Sequence, residues 1–358
     1  MIKGSKEGWF TPKLLEWHKS ENQRSMPWKG EKDPYKIWLS EVILQQTRVE
    51  QGTAYYLKFI SHYPNIQLLA AAPDDEVFKL WEGLGYYSRC RNLLAAARQI
   101  VGEHRGVFPN DYPTILSLKG VGPYTAAAIA SFAFNLPHAV VDGNVNRVLS
   151  RFFGIRIAID STKGKQEFAG LATALLPDKK SAIYNQAIMD FGATVCKPQL
   201  PICDICCMQP NCVAYQKNLV RILPFKEKKL IKRERWFYYI LAEKKGCCLI
   251  QKRQSKDIWQ HLHEFVLVET PAPVEPNSIL ETADFKEIFP GTNKIVSVSG
   301  NYRQQLTHQT IHAVFLRIKP SRVFVGNHFF WVEKPAIGKL AFPRLINHFL
   351  EKENVRKK

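Results

Sequence analysis

The sequence predicts a two-part chain, a mainly helical first part followed by a small α+β part. Three observations carry this reading. Apolar residues recur at three- and four-residue spacing up to about residue 218. A basic, proline-marked segment then interrupts the pattern. From Trp236 onward, short runs alternate apolar and polar residues. At 358 residues the chain exceeds one ordinary domain, and 46% apolar content suffices for two cores. We place a helical domain at 1–220, a basic linker at 221–235 and the second domain at 236–350.

The helical spacing runs through 37–55, 75–81, 89–101 and 124–134. Tyr63-Pro64, Ala72-Pro73, Phe108-Pro109 and Leu136-Pro137 punctuate it, and Asp33-Pro34 and Pro73-Asp74 read as helix starts. The segment 221–235 holds seven basic and two acidic residues with Pro224 near its start, the composition of a linker. Strands are expected at 236–242, 248–252, 265–269, 294–298 and 311–318, and a short helix at 335–349.

Fifty Lys and Arg oppose 32 Asp and Glu, a formal charge of +18. A polyanion is the natural partner, because each neutralised phosphate releases counterions. A basic enzyme with no nucleic-acid partner has the same charge, so charge alone decides nothing. The start, MIKGSKEGWF, lacks the apolar stretch of a signal peptide. The run 126–134 is too short to span a bilayer and is broken by Ser131. We expect a soluble, cytoplasmic monomer with no membrane partner.

Five of the eight cysteines lie between Cys196 and Cys212, unlike a disulfide framework spread along a secreted chain. Cys196, Cys203, Cys206 and Cys212 are separated by six, two and five residues. Four thiols within one loop converge on one soft metal centre. Zinc is the first alternative, but zinc sites of this kind usually show two C-x-x-C knuckles, and only Cys203–Cys206 forms one. Cys207 reads as spare, and Cys90, Cys247 and Cys248 as packing residues.

Leu118-Lys119-Gly120-Val121-Gly122-Pro123-Tyr124-Thr125 is a glycine turn leading into a helix. Such a turn points free N–H groups and a positive dipole end at an anion. About twenty residues on stands Val141-Asp142-Gly143-Asn144-Val145. Taken alone, Asp142 reads as a helix N-cap. Glu41, in Trp38-Leu39-Ser40-Glu41-Val42-Ile43-Leu44-Gln45-Gln46-Thr47, reads either as a solvated helix glutamate or as a desolvated acid of raised pKa.

The cysteine spacing, the glycine hairpin and the Glu41 stretch together resemble the helix-hairpin-helix DNA glycosylases of the endonuclease III superfamily, most closely the adenine glycosylases. The resemblance implies an all-α glycosylase domain whose loop 196–212 carries a [4Fe–4S] cluster on Cys196, Cys203, Cys206 and Cys212. It implies that the hairpin at Gly120 and Gly122 holds a DNA phosphate. Glu41 then protonates the leaving adenine, Asp142 steadies the cationic sugar, and Asn144 orients them. Lyase-competent relatives carry a lysine at the place of Tyr124, so the tyrosine implies a monofunctional enzyme that leaves an abasic site. The implied partner is double-stranded DNA with adenine opposite 8-oxoguanine or guanine.

Further positions follow from the same resemblance. Gly83-Leu84-Gly85-Tyr86-Tyr87-Ser88-Arg89 matches a loop that wedges beside the orphaned base, with Tyr86 as the wedge and Gln46 as a second intercalating residue. Met26-Pro27-Trp28-Lys29 matches the adenine-pocket entrance, although the family more often has arginine where Lys29 stands. Asp190 matches a pocket carboxylate that is frequently glutamate. The second domain resembles a Nudix fold through Asp257–Phe265, but the R-E-x-x-E-E cluster of the hydrolases is absent. It is therefore expected to recognise and not to hydrolyse. Leu306-Thr307-His308 stands where the family's Phe-Ser-His inspects 8-oxoguanine, with His312 as the nearest competitor. On the residues alone, Tyr86 reads as a core tyrosine and His308 as a strand histidine.

Two other functions compete. One is an endonuclease III-like lyase acting on oxidised pyrimidines, which Tyr124 and the second domain oppose. The other is a DNA-binding redox sensor that has lost catalysis, which the presence of both Glu41 and Asp142 opposes.

Overall fold

The computed structural model describes residues 3–227, 232–324, 328–353 and 355. It divides into two compact units. One comprises Met1–Ala71 and Arg91–Lys228, the other Ala72–Cys90 and Lys229–Lys358. The segment 72–90, read from sequence as part of the helical domain, thus groups with the second unit. Among the described residues no helix is long and apolar enough to cross a membrane.

The first unit is all helical, and its centre is the helix Pro123–Phe134. Ala126, Ala127, Ala128, Ile129 and Ala130 are all buried there, so the helix has no solvent face in its middle. Small side chains let neighbouring helices approach closely. Pro34–Leu44, Tyr112–Ser117 and Ser181–Thr194 pack around it. Phe10, Leu14 and Trp17 of Lys3–Ser20 form a second core with Leu149 and Phe152 of Gly143–Phe153 and with Tyr184, Ile188 and Phe191.

The helix expected at 37–55 is two helices, Pro34–Leu44 and Val49–His62. Gln46 takes a left-handed φ of 57° between them, and the Thr47 N–H closes a turn on Leu44 O at 3.1 Å. Gln45, Gln46 and Thr47 are polar and line a cavity, so no apolar stripe carries the helix across this point. Asp33 does start the first of these helices, its carboxylate accepting the Tyr35 N–H at 2.9 Å.

The second unit is a mixed sheet with short helices. Its strands are β1 (Arg233–Lys244), β2 (Cys247–Lys252), β3 (His263–Thr270), β4 (Ile295–Val298), β5 (Tyr302–Gln305), β6 (Gln309–Ile318) and β7 (Phe329–Glu333). Their order is β4-β6-β1-β3-β2-β7, with β5 also on β6. β1 and β6 run parallel, and the other pairs are antiparallel. One face packs on Ile279, Phe285 and Phe289. The other meets the helix Arg344–Lys352, where Phe349 stacks on Phe315 at 3.8 Å.

Two expectations are corrected here. The linker segment is strand from Arg233 onward, and its residues 228–231 lie outside the described residues. Arg235 is buried because Glu269 takes its guanidinium through two bonds, at 2.7 and 2.6 Å. The helix expected at 335–349 is a 3-10 turn, Lys334–Lys339, and a separate helix, Arg344–Lys352, because Pro343 opens a new start.

Candidate active site

A cavity of about 530 Å³ opens in the helical unit. Glu41, Tyr124, Asp142, Asn144, Trp28, Lys29 and Gln46 all line it. These residues span more than a hundred positions of sequence and come from four separate segments.

Glu41 lies in the buried middle of Pro34–Leu44 and is 7% exposed. Tyr124, in the first turn of Pro123–Phe134, donates its hydroxyl to Glu41 Oε2 at 2.7 Å. Burial pushes the Glu41 carboxyl up to about 7; the Tyr124 bond opposes this and the Asp142 charge adds to it. Burial and the two carboxylates hold the Tyr124 hydroxyl far above the ordinary range, so it stays a donor.

Asp142 is the N-cap of Gly143–Phe153, as its surroundings alone suggest. Its Oδ1 accepts the Val145 N–H at 2.7 Å, and its Oδ2 accepts from Asn144 Nδ2 at 2.7 Å. Burial raises this carboxyl also, but the Val145 N–H, the Asn144 amide and the Arg147 charge oppose it. Glu41 has one donor against it and Asp142 has several. The environment therefore steers a proton toward Glu41 and charge toward Asp142.

Arg147 holds the Asp142 end in place. It donates to Asn144 Oδ1 and to Gly192 O at 2.7 Å each, and to Cys196 O at 2.8 Å. A side chain at Gly192 would stand 2.7 Å from Asn144 Cβ, so glycine is required for Ser181–Thr194 to come this close.

Asp190 does not line the cavity. It is fully buried and saturated by Arg24 Nη1 at 2.8 Å, Asn22 Nδ2 at 2.8 Å, Gln186 Nε2 at 3.0 Å and Lys29 Nζ at 3.0 Å. It holds the cavity wall and presents no free oxygen to a ligand. Lys29 and Trp28 do reach the cavity, Trp28 packing edge-on against Tyr56 at 5.2 Å.

The hairpin takes the form its glycines require. Gly120 has φ 75°, and a Cβ there would lie 2.5 Å from Asn92 Cβ. Gly122 precedes Pro123–Phe134, and no side chain caps that helix start. Its first-turn N–H groups are left for an anion.

Cys196, Cys203, Cys206 and Cys212 line one apolar cavity with Val148, Phe152, Ile202 and Met208, whereas Cys207 lines a different one. Burial raises the Cys203 and Cys212 thiols and pushes Cys206 up to about 12. Arg151 Nη1 lies 3.4 Å from Cys196 Sγ, and backbone N–H groups at Met208 and Tyr215 face Cys206 and Cys212. Among the described residues no three His, Cys, Asp or Glu side chains converge as ligands of a single ion. Four sulfurs around one apolar space, with N–H donors aimed at them, suit a multi-atom sulfide cluster. The cluster's positive charge would keep such buried thiols ionised.

In the second unit, Thr307 and His308 form the tip between β5 and β6, closed by the Leu306 N–H on Gln309 O at 2.8 Å. The Tyr86 hydroxyl touches Thr307 Oγ1. Tyr86 is exposed, takes a left-handed φ of 46° and lies under the Arg89 guanidinium, so it is not a core tyrosine. His312 is engaged elsewhere, bonded to Glu234 and stacked on Trp236 at 5.6 Å.

Sequence reading missed Arg147, Arg24, Asn22, Gln186 and Gly192. Arg147 alone left a signal, standing three residues from Asn144 on one helix face.

Comparison with known proteins finds one family match in the helical part of the chain and one in the sheet-containing part. Residues 39–172 match the HhH-GPD superfamily of base excision DNA repair proteins, and 237–352 match the NUDIX domain. A thermostable thymine-DNA glycosylase of known structure is 31% identical with a TM-score of 0.55, covering 60% of this chain and 98% of its own. The adenine DNA glycosylase of Mus musculus is 43% identical over 217 residues, covering 58% of this chain and 42% of its own. That of Buchnera aphidicola subsp. Baizongia pistaciae is 34% identical over 324 residues. Because this last likeness runs through 89% of either chain, the protein belongs to the adenine DNA glycosylase family and is a DNA glycosylase.

Proposed function

We propose that this enzyme removes adenine mispaired with 8-oxoguanine or guanine in double-stranded DNA, and that it does so without cutting the strand. One observation carries the reading: a buried acid, Glu41, raised to about 7, shares a cavity with a capped carboxylate, Asp142. Adenine leaves poorly as an anion, so its departure needs a proton at N7. Tyr124 occupies Glu41 Oε2 as a donor, so the acidic proton sits on Oε1 and is free to be handed on. The C1′–N9 bond breaks, its electron pair goes to the protonated base, and the Asp142 carboxylate faces the cationic sugar. Water adds at C1′ and gives up its proton to the Glu41 carboxylate. No lysine stands at the place of Tyr124 to form a Schiff base, which supports a monofunctional reaction.

The DNA backbone is expected at the Gly120–Gly122 hairpin, and the extruded base between Trp28 and Lys29. Tyr86 and Gln46 are expected in the gap. Leu306, Thr307 and His308 are expected to read the base opposite. Contact between Tyr86 and Thr307 supports a shared recognition surface within the second unit. A [4Fe–4S] cluster on Cys196, Cys203, Cys206 and Cys212 would tie a loop that has little core of its own. The deciding assay compares duplexes carrying adenine opposite 8-oxoguanine or thymine glycol, each with and without alkali. Alkali-dependent breaks at adenine support the reading, and alkali-independent breaks at thymine glycol favour the lyase.

Purified protein is expected to be brown and to hold about four irons per chain, measured by metal analysis; colourless, zinc-loaded, active protein contradicts the cluster. Glu41→Gln should slow single-turnover adenine release at least about 100-fold while mispair binding persists. Glu41 acts in its protonated form, so the rate should fall above pH 7, tenfold per unit once well past it. The Tyr124 bond lowers this pKa, so Tyr124→Phe should move that alkaline limb to higher pH. A limb that stays or moves down rules out this role for Glu41. His308→Ala should reduce the preference for 8-oxoguanine over guanine opposite adenine several-fold, read as a ratio of excision rates.

A further inference from the structure

One wall of the same cavity carries a hydrogen-bonding group that the reaction above does not use. His18, near the end of Lys3–Ser20, lines the cavity, and its Nδ1 lies 2.9 Å from Asn22 Nδ2. The other partners of Asn22 fix the direction of this bond. Asn22 Oδ1 accepts the Arg24 backbone N–H at 3.1 Å, and Nδ2 donates to Asp190 Oδ2 at 2.8 Å. Turning the amide round would aim its oxygen at a carboxylate and its NH2 at an N–H. One hydrogen of Nδ2 is on Asp190, so the other is on His18 Nδ1, which accepts. A neutral imidazole that accepts at Nδ1 carries its hydrogen on Nε2.

Burial favours the neutral ring. Burial and the Lys29 ammonium hold His18 below the ordinary histidine range, against the pull of Asp190. Lys29 and Arg24 are themselves committed. Lys29 Nζ donates to Arg24 O at 2.6 Å and pairs with Asp190, and Arg24 Nη1 bonds Asp190. His18 Nε2 bonds no group among the described residues. The wall thus offers one oriented, neutral N–H.

Adenine presents three ring acceptors, N1, N3 and N7. In the reaction proposed above N7 faces Glu41, and N3, which lies beside N9 on the sugar edge, is on the Asp142 side. N1 is the acceptor farthest from the sugar. We infer that His18 Nε2–H donates to N1 of the extruded adenine, making His18 a base-contacting specificity residue. Guanine and hypoxanthine carry a hydrogen on N1, so two N–H groups would face each other and both would stay unpaired.

The inference rests on the adenine reading, and the test separates the two. Single-turnover excision is measured for the full chain on duplexes with adenine, 1-deazaadenine or 3-deazaadenine opposite 8-oxoguanine. Deaza substitution alters the glycosidic bond itself, so each substrate is compared between wild type and His18→Ala. The variant should lose about tenfold on adenine and on 3-deazaadenine, and nothing further on 1-deazaadenine, which has no N1 acceptor. Equal loss on all three, loss that vanishes on 3-deazaadenine instead, or no loss on adenine overturns the inference. A second measurement needs no variant. With the uncleavable 2′-fluoro sugar, the wild type should bind 1-deazaadenine about tenfold more weakly than 3-deazaadenine, and equal binding overturns the inference. If the wild type releases no adenine from these duplexes, the adenine reading itself falls.

Discussion

The proposed chemistry depends on two carboxyl groups buried in one cavity with unequal numbers of donors. Two such groups repel as anions, so the second charge is costly to create near the first. The fold resolves the conflict by supplying Asp142 with a backbone N–H, an amide and a nearby guanidinium, and Glu41 with one tyrosine hydroxyl. Part of the asymmetry is built from backbone. One donor on Asp142 is the Val145 N–H at the start of a helix, and Glu41 lies in the buried middle of Pro34–Leu44, which packs on the small-residue helix Pro123–Phe134.

The structural and functional readings of Asp142 are therefore one reading. An N-cap contributes about 1 kcal/mol of stability by accepting an otherwise unpaired N–H. The same bond, charge-assisted, favours the ionised carboxylate, the form the proposed reaction calls for. Its place is secured through Asn144 and Arg147, which reaches the carbonyls of Gly192 and Cys196. The cysteine loop is thereby tied to the cavity wall through the Cys196 carbonyl. Arg151 extends the tie, bonding Lys197 O at 2.8 Å and Leu223 O at 3.0 Å. Buried guanidiniums of this kind are costly to desolvate unless every N–H is taken, which is why their partners are fixed carbonyls.

Much of this was legible in the sequence, for definable reasons. Helix existence, the switch to strands near Trp236 and the cysteine loop are local patterns, carried by spacing. The break at Gln45–Arg48 was not legible, because Gln45 and Gln46, which end the first helix, are also good helix formers; they and Thr47 line the cavity. β5 is polar after Tyr302 and β7 is a run of apolar residues up to Glu333, so neither shows an alternation. The saturation of Asp190 joins residues 22, 24 and 29 to 186, and no pattern in the sequence marks such a pairing. A family likeness gave Asp190 a place near the base, but only the geometry shows that its oxygens are already spoken for.

Three acidic residues of the second unit, Asp257, Glu264 and Glu269, are likewise spoken for. Arg235 takes Glu269 through two bonds and Asp257 at 2.8 Å. Arg253 takes Glu264 at 2.9 Å and reaches the same Asp257 at 3.0 Å. Both guanidiniums lie over the Phe237 ring, at 4.8 and 5.8 Å. A carboxylate that neutralises a buried arginine has lost most of its attraction for a cation, since binding one would leave the arginine unpaired. Such a network adds little net stability, but it fixes β1, the end of β2 and β3 against one another. That rigidity suits the recognition role proposed for the exposed tip, Thr307 and His308. Tyr86 meets that tip from a strained left-handed backbone, and a conformation of this kind persists only where its surroundings hold it.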